Sequence, residues 1–494
     1  MAYYLQIAAT LIAIYIQHGC KPAKRYPNWD PFLGLDAFVL FGIKAIQGKS
    51  SIEYRKLQLK YGPTFTMKRL TKASFIQTSS SKNIQAVNTT KFDDWSVGPS
   101  RQDIAIPFME NGIFTDDGES WKRARALVRP TFTRAEVADL EHFEKHLGRF
   151  LELIPKDGSM FDLQDLSRRL FLDTSSEFIF GQSIQSLLPQ TPAETFEFMK
   201  AFDYSLLGLG LRLVSGPFLP LFFFDPTWKR AYTKVHRFMD KNIKIALERR
   251  RKIVETGEDT EAQGVRKPYI LLNQMVLDTQ DVFSLRAQII NIFFPARDTA
   301  AYAFSNAMFE LARHPKVWDE LRAEVSQIGD SKLTFELIKN LKVAKAIVNE
   351  TLRLHIPATR LSRTALRDTI LPVGGGPDQL SPLFVPKGTY IEMDINALHR
   401  DPKIWGGDAL EFNPLRWAKG RTLWEARWEY LPFGGGIRMC PAQPMALAQV
   451  TYLLVRMAQE FKAVENRDHV SEYVEEIKMT VSSRNGVKIS LVPA

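Results

Sequence analysis

The stretch that decides the fold is Phe-Gly-Gly-Gly-Ile-Arg-Met-Cys-Pro-Ala, residues 433–442. Consecutive glycines permit a tight backbone loop, and a proline just after the cysteine is typical of the first turn of a helix. The pattern therefore predicts a loop that carries the thiol of Cys440 to a helix N-terminus. The positive end of that helix and the cation of Arg438 both favour the thiolate, which is the form of cysteine that binds metal.

Cys440 has no plausible partner among the cysteines of the chain. The chain contains one other cysteine, Cys20, which leaves Cys440 without a plausible disulfide partner or a tetrahedral zinc set. Such sparse cysteine usage indicates a reducing compartment. The alternative interpretation of Cys440 is a small buried hydrophobic residue, as many lone cysteines are.

Length and composition favour one large domain. The chain has 494 residues, 45% of them hydrophobic, and shows no Gly/Ser-rich or Pro-rich linker beyond its first few dozen positions. It can bury a sizeable core and still line a ligand cavity. The net charge of +10 is compatible with nucleic acid or an anionic membrane. Because the basic residues are scattered through helical segments, we expect a membrane surface and an acidic redox partner, and no nucleic acid.

The N-terminus carries an apolar run over residues 3–16, and basic residues follow it within positions 21–25. Charges after the run argue against a cleaved signal peptide, and they place the remainder of the chain on the cytoplasmic side of a membrane. The run is short for a span, so a buried or surface-lying helix is the alternative. The predicted division is a membrane anchor over 1–20, a Pro-containing linker over 21–36 and one catalytic domain over 37–494.

Most of the remaining chain has helical periodicity. Residues 135–325 alternate apolar and polar positions at helical spacing, and Ser51–Tyr61 is a further helix candidate. Short β-prone runs at 64–67 and 75–78 predict a small sheet, and the turn-rich segment 357–390 predicts a second one. The expected fold class is mainly α with small β-sheets, an α+β arrangement.

Two pairs of side chains stand at helical spacing upstream of Cys440. Trp121 and Arg125 are four residues apart, and Glu350 and Arg353 are three apart, so each pair shares one helical face. Taken alone, each pair is typical of an ordinary surface or core contact. The two pairs become informative through their order along the chain relative to the other motifs.

A long helical pattern over residues 284–312 carries Pro-Ala-Arg-Asp-Thr-Ala at 295–300. A proline in mid-helix removes one intrahelical hydrogen bond, which predicts a kink that frees backbone groups. Asp298 and Thr299 follow in the next turn. The alternative for Thr299 is an ordinary helical residue whose hydroxyl bonds back to the preceding turn.

Taken together, these patterns resemble the cytochrome P-450 superfamily, the haem-thiolate monooxygenases. The resemblance rests on Phe-x-x-Gly-x-Arg-x-Cys at 433–440 and on the order of the other motifs, which covers nearly the whole chain. It implies a single haem domain in which Cys440 is the axial thiolate of haem b. The other implied roles are haem binding for Trp121, Arg125, Arg363 and Arg438, a buried charge triad for Glu350, Arg353 and Arg416, and proton delivery for Asp298 and Thr299.

The finer pattern resembles the fungal alkane and fatty-acid hydroxylase branch. The shared stretches are Gly-Ile-Phe-Thr-Asp-Asp-Gly at 112–118, Ala-Arg-Asp-Thr at 296–299 and Gly-Gly-Gly-Pro-Asp at 374–378. Departures at Pro295, Thr359, Arg360 and Cys440-Pro441-Ala442 indicate a diverged member, of the kind that tailors a natural product. The implied activity is hydroxylation or further oxidation of a lipophilic substrate: an aliphatic chain, a fatty-acid-like molecule or a fungal secondary-metabolite intermediate.

Two other classes of function remain open at this point. A haem-thiolate enzyme can rearrange, dehydrate or couple its substrate without net oxygen insertion, and a non-enzymatic protein can simply bind haem. The monooxygenase interpretation implies an NADPH-dependent flavin reductase, with Lys122, Arg129 and Arg134 as candidates for its docking face. It also implies an endoplasmic reticulum membrane, with the apolar stretch 206–224 as the lid of a lipophilic channel.

Arg360 is the remaining candidate. A guanidinium in a largely apolar pocket is costly unless it meets an anion or several acceptors, so we expect a partner for it. One interpretation is that it joins Arg363 on a haem propionate or faces solvent. The other is that it binds a carboxylate or polyoxygenated end of the substrate.

Overall fold

The computed structural model describes residues 17–70, 72–132, 140–222, 224–256, 269–329, 331–418 and 426–494. Its helices are α1 (Leu35–Ile46), α2 (Ser50–Tyr61), α3 (Ser81–Gln85), α4 (Pro99–Met109), α5 (Gly118–Val128), α6 (Glu141–Glu152), α7 (Leu163–Phe180), α8 (Ala193–Ser215), α9 (Pro226–Thr256), α10 (Leu271–Asp278), α11 (Val282–Leu311), α12 (Pro315–Ser326), α13 (Phe335–Asn340), α14 (Lys342–Leu354), α15 (Ile395–Leu398), α16 (Pro402–Trp405), α17 (Leu415–Ala418) and α18 (Gln443–Glu460).

Short strands lie at both ends of the chain and between the helices. They are β1 (Lys24–Arg25), β2 (Thr64–Arg69), β3 (Lys72–Thr78), β4 (Trp95–Ser96), β5 (Phe161–Asp162), β6 (Arg360–Ala365), β7 (Thr369–Gly375), β8 (Ser381–Val385), β9 (Tyr390–Asp394), β10 (Phe461–Asn466), β11 (Glu475–Ile477), β12 (Val481–Ser483) and β13 (Lys488–Pro493). The predicted class, mainly helical with small sheets, is confirmed.

Helix α11 is the central element. Its residues are buried around nearly the whole circumference, as expected of a helix that is apolar on every side. Asp281 caps its start by accepting a hydrogen bond from the Ser284 amide at 2.9 Å. The helix continues through Pro295, so the predicted kink does not interrupt it. It packs against α7, α9, α14 and α18 and thereby joins the two largest apolar clusters of the core.

The largest sheet combines strands from two distant parts of the chain, in the order β1-β2-β3-β9-β6-β4. Strand β9 pairs in parallel with β3 and antiparallel with β6, which places Arg360 opposite Asp394. The sequence predicted two separate small sheets for these regions, and that expectation was wrong for β6 and β9. Ile76 of β3, Leu361 of β6 and Ile391 of β9 belong to one apolar cluster, which favours the joining of these strands in one sheet. Strands β7 and β8 form a hairpin of their own.

The segment 21–36, predicted as a linker, is hydrogen-bonded to the folded domain. Strand β1 pairs with β2, and the Lys21 amide donates to the carbonyl of Pro382 at 2.9 Å. Cys20 is buried beside it. Most of the predicted anchor, residues 1–16, lies outside the described residues. Among the residues that are described, no helix has the length and apolar character needed to cross a membrane.

Candidate active site

The loop before Cys440 is a tight turn fixed by its glycines. Gly434 and Gly436 have φ of 71° and 72°, in the left-handed region that suits glycine. A Cβ at Gly436 would also lie 2.1 Å from the carbonyl oxygen of Asn88, so the loop backbone is in close contact with residues 86–90. The Cys440 amide closes the loop by donating to the carbonyl of Phe433 at 3.0 Å. Helix α18 begins three residues later, as the sequence predicted.

The thiol of Cys440 is half-buried near the start of α18. Burial raises its pKa, while the amides of Ala442 and Gln443 and the charge of Arg125 act in the opposite direction. The sequence predicts this cationic role for Arg438. In the structure Arg438 is instead bound to Asp117 at 2.5 Å and to the carbonyl of Asp116 at 2.8 Å. Arg125 is therefore the cation that acts on the thiol.

The side chains predicted to bind haem lie together around this loop. The guanidinium of Arg438 is 4.4 Å from the ring centre of buried Trp121, and that of Arg125 is 5.6 Å from it. Arg363 is buried next to them and donates to neutral acceptors, the carbonyl of Ser362 at 2.7 Å and Oδ1 of Asn88 at 3.4 Å. Helix α5 and strand β6 thus direct their basic side chains at one region.

Arg101 on α4 belongs to the same group, although the sequence analysis did not assign it a role. Burial, together with the charges of Arg101 and Arg438, lowers the pKa of Arg363 to about 9. Burial likewise lowers the pKa of Arg438 to about 10, although Asp117 opposes it. A buried cationic cluster of this kind fits two carboxylates, because each would relieve the repulsion and accept forked hydrogen bonds. Together with a thiol at a helix N-terminus, these are the groups required to hold haem.

Glu350, Arg353 and Arg416 form one buried network. Arg353 donates to both oxygens of Glu350, at 2.9 and 2.8 Å, and Arg416 approaches the same carboxylate at 3.4 Å. Arg353 also donates to the carbonyl of His399 at 2.8 Å, and the ring of His399 accepts the Leu431 amide at 2.7 Å. The network is thereby connected to the chain just before the Cys440 loop.

Asp298 and Thr299 on α11 are both engaged within the protein. The hydroxyl of Thr299 donates to the carbonyl of Pro295 at 2.9 Å, which is the back-bond that the sequence analysis left open. The carboxylate of Asp298 is buried and accepts from Arg297 at 2.8 Å and from Arg168 at 3.5 Å. Neither partner of Asp298 was assigned from the sequence. Arg168 could not have been, because it lies far away in sequence, on α7.

The anionic neighbours of Arg360 are residues of the same sheet. Its guanidinium lies 3.6 Å from Glu392 and 3.6 Å from Asp394 and is stacked 3.9 Å from the ring centre of Tyr54. Strand β9 thus supplies charge of the kind that a propionate or a substrate was expected to supply, and the substrate role of Arg360 stays a prediction. The candidates for reductase docking include Lys122 and Arg129, which are exposed on and just after α5, and Arg134, which lies outside the described residues.

A thiol on a glycine-rich loop, facing cations that suit two carboxylates, is the donor set of a haem-thiolate protein. The chain belongs to the cytochrome P450 family, whose model matches residues 34–489. Members of this family are monooxygenases that carry haem with a cysteine thiolate as axial ligand. The resemblance stated from the sequence is confirmed.

Curated relatives match along nearly the whole chain. Cytochrome P450 monooxygenase fsdH of Fusarium heterosporum is 37% identical, over 96% of this chain and 83% of the relative. Cytochrome P450 monooxygenase himC of Aspergillus japonicus is 36% identical, over 96% and 84%. Cytochrome P450 52A9 of Candida maltosa is 37% identical, over 90% and 87%. The chain is therefore similar to fungal cytochrome P450 proteins over nearly its whole length.

Proposed function

We propose that this protein is a fungal-type monooxygenase that uses dioxygen and reductase-supplied electrons to hydroxylate, or further oxidise, a lipophilic substrate. The observation that carries the proposal is the buried cationic cluster beside the Cys440 loop: the loop supplies a thiol for the iron, and the cluster supplies partners for the haem carboxylates. Similarity to fungal monooxygenases supports an aliphatic chain, a fatty-acid-like molecule or a secondary-metabolite intermediate as substrate.

Each group of residues then has a distinct task. Cys440 would ligate the haem iron, and the propionates would be held by Trp121, Arg125, Arg363, Arg438 and Arg101. Haem bound in this way activates dioxygen toward unactivated C–H bonds. The Glu350 network fixes the loop that presents the thiol. Asp298 and Thr299 would pass protons from solvent to the site of reaction once their internal bonds are exchanged for water.

A cavity of about 520 Å³ supports a lipophilic ligand that enters beside the haem domain's lid. It lies between α4, the turn after α8 and the start of α9. Its walls are largely apolar and aromatic, with residues such as Ile104, Leu219, Phe222, Trp228 and Tyr232. None of its lining residues comes from the Cys440 loop or from α11, so we assign it to the entrance and not to the reaction centre.

A continuous apolar surface supports membrane association near this entrance. Trp29 and Phe32 before α1 are 86% and 84% exposed, and Leu221 and Phe224 after α8 are 77% and 91% exposed. The rings of Phe38 and Phe218 join the two groups at 6.4 Å. Exposed apolar patches of this kind mark interaction surfaces. With the apolar run at the N-terminus, they support an anchored protein at the endoplasmic reticulum membrane, with its catalytic domain in the cytoplasm.

Electrons would come from an NADPH-dependent flavin reductase. The exposed basic residues Lys122, Arg123 and Arg129 lie on or just after α5, the helix that also carries Trp121 and Arg125. A basic face attracts an acidic partner and speeds its association at low salt. Arg129→Glu should slow reduction of the haem by the reductase while leaving reduction by dithionite unchanged.

The test of the proposed function combines a spectrum with labelled dioxygen. Cys440→Ala should lose the thiolate-type band of the reduced carbonyl complex, because water or imidazole cannot replace the thiolate. The intact enzyme, incubated with reductase, NADPH and dodecanoic acid or a fungal metabolite extract, should place labelled oxygen in a product. A product without label would favour the alternative of rearrangement, dehydration or coupling. A thiolate-type band in the Cys440→Ala variant would refute the ligand assignment.

A further inference from the structure

Asp117 places a carboxylate inside the cationic cluster beside the Cys440 loop. Its Oδ1 accepts from Nη2 of Arg438 at 2.5 Å, and the same Nη2 donates to the carbonyl of Asp116 at 2.8 Å. The ring centre of Trp121 lies 4.4 Å from this guanidinium. Because both bonds use Nη2, the edge formed by Nε and Nη1 can face a second carboxylate. Arg438 can therefore bind Asp117 and a haem propionate at the same time.

The side chain of Asp117 does not have the usual contacts of an aspartate at its position. It directly precedes α5, where aspartate commonly caps a helix by accepting from one of the first amides. In the part of the chain that the structure describes, its carboxylate makes no such bond to α5. Both of its oxygens instead accept the amide of Val97, at 3.2 and 3.1 Å, just after β4. The carboxylate is thereby fixed toward Arg438 and away from its own helix.

The charge of Asp117 acts on several members of the cluster. Burial lowers the pKa of Arg101, of Arg363 and of Arg438, and in all three Asp117 acts in the opposite direction. Arg125 adds a further cation near the thiol. The positive charge of these arginines exceeds the negative charge of two propionates. Asp117 reduces that excess.

We propose that Asp117 lowers the reduction potential of the haem iron, by offsetting part of the positive charge around the propionates, and thereby limits electron delivery by the reductase. This inference rests on the proposed function, since it requires haem bound at Cys440. One electron passes from the reductase to the ferric iron, which becomes ferrous, and no covalent bond forms or breaks. The step adds negative charge to the site, so nearby cations favour it and a nearby anion opposes it.

The test compares Asp117→Asn with Asp116→Asn in the full-length holoenzyme. Asparagine at position 117 can keep both bonds of Oδ1, to Arg438 and to the Val97 amide, while it removes the charge. Asp116 is the matched control, because its carboxylate accepts from Ser120 at 2.7 Å and it is its backbone carbonyl that contacts Arg438. Both substitutions thus remove one negative charge, at adjacent positions with different contacts. Asp117→Glu, which keeps the charge, is the conservative variant.

The reduction potential of the haem is measured by spectroelectrochemical titration, without substrate and at one salt concentration. At a fixed applied potential, the ratio of reduced to oxidised haem should rise about three- to tenfold in Asp117→Asn, as expected of one partly screened charge. A tenfold change corresponds to about 59 mV for one electron. Asp116→Asn should change the ratio by a smaller factor, and Asp117→Glu should remain close to the intact enzyme. Oxidation of NADPH by the reductase without substrate should increase in Asp117→Asn alone.

The outcomes separate this inference from the proposed function. If the intact protein lacks the thiolate-type band of the reduced carbonyl complex, the proposed function fails and the inference falls with it. If the band is present but Asp117→Asn and Asp116→Asn shift the potential equally, or not at all, the inference alone is wrong. An Asp117→Asn variant that binds no haem would also overturn it, because Asp117 would then be required for haem binding itself. A rise in potential that is largest in Asp117→Asn and absent in Asp117→Glu supports the inference.

Discussion

The glycines of the Cys440 loop allow a sharp prediction, because two of them share a backbone conformation but not a packing environment. Gly434 and Gly436 both have φ near 70°. A Cβ at Gly434 would meet its nearest atom, in Leu361, at 3.7 Å, whereas one at Gly436 would lie 2.1 Å from the Asn88 carbonyl oxygen. Alanine at Gly434 therefore adds only left-handed strain, about 1–2 kcal/mol. Alanine at Gly436 adds the same strain and forces two backbone segments apart.

Overpacking of this kind costs about 1–3 kcal/mol. Added to the left-handed strain, it should lower the free energy of unfolding of Gly436→Ala by roughly 2–5 kcal/mol. The assay is the urea dependence of the thiolate-type band of the reduced carbonyl complex, together with haem content. Gly210→Ala is the control, since Gly210 lies inside α8 with no atom within 4 Å of an added Cβ. It should gain up to ~1 kcal/mol from helix propensity. Equal losses for Gly434→Ala and Gly436→Ala would show that contact with Asn88 does not determine the loop.

Three further predictions address single side chains. Thr299→Ala should lower product formed per NADPH and raise peroxide; an unchanged ratio would leave only the back-bond as the role of Thr299. Arg360→Leu should lower stability by about 3 kcal/mol through the acids left in the sheet, and it should affect binding of dodecanoic acid and its methyl ester equally; a loss confined to the acid would restore a substrate role. Burial, with nearby arginines, lowers the pKa of His399 to about 3 from 6.5. The unfolded chain then binds the extra proton between these values, so stability should fall as pH falls through this window, and less steeply in His399→Gln.

The parts of the site that lie close together in sequence could be predicted. Glycines and a proline within ten residues define the Cys440 loop and the approach to α18, and Glu350 and Arg353 share one turn of α14. The spacing of such residues is set by local backbone geometry. The long helix α11 was also predicted to within two residues at its start, because its apolar pattern persists over many turns.

Long-range pairings could not be predicted in the same way. Asp117 takes Arg438 away from the thiol, and strand β9 joins the sheet of β3, yet nothing local in either segment specifies its partner. Arg360 shows the consequence most clearly. The sequence requires an anion for it, but several anions would satisfy that requirement, and the register of β6 against β9 places Asp394 directly opposite.

The difference between local sequence signals and long-range contacts also affects the residues of α11. The motif at 295–300 predicts, through its resemblance, that Asp298 and Thr299 deliver protons, but it does not indicate how the two side chains are bonded. In the structure both are bonded within the protein, Thr299 to its own helix and Asp298 to arginines from two helices. Internal bonds must therefore be exchanged before either group can serve the reaction. Asp203 on α8 contacts the same two arginines, and neither Asp203 nor Arg168 belongs to the motif at 295–300.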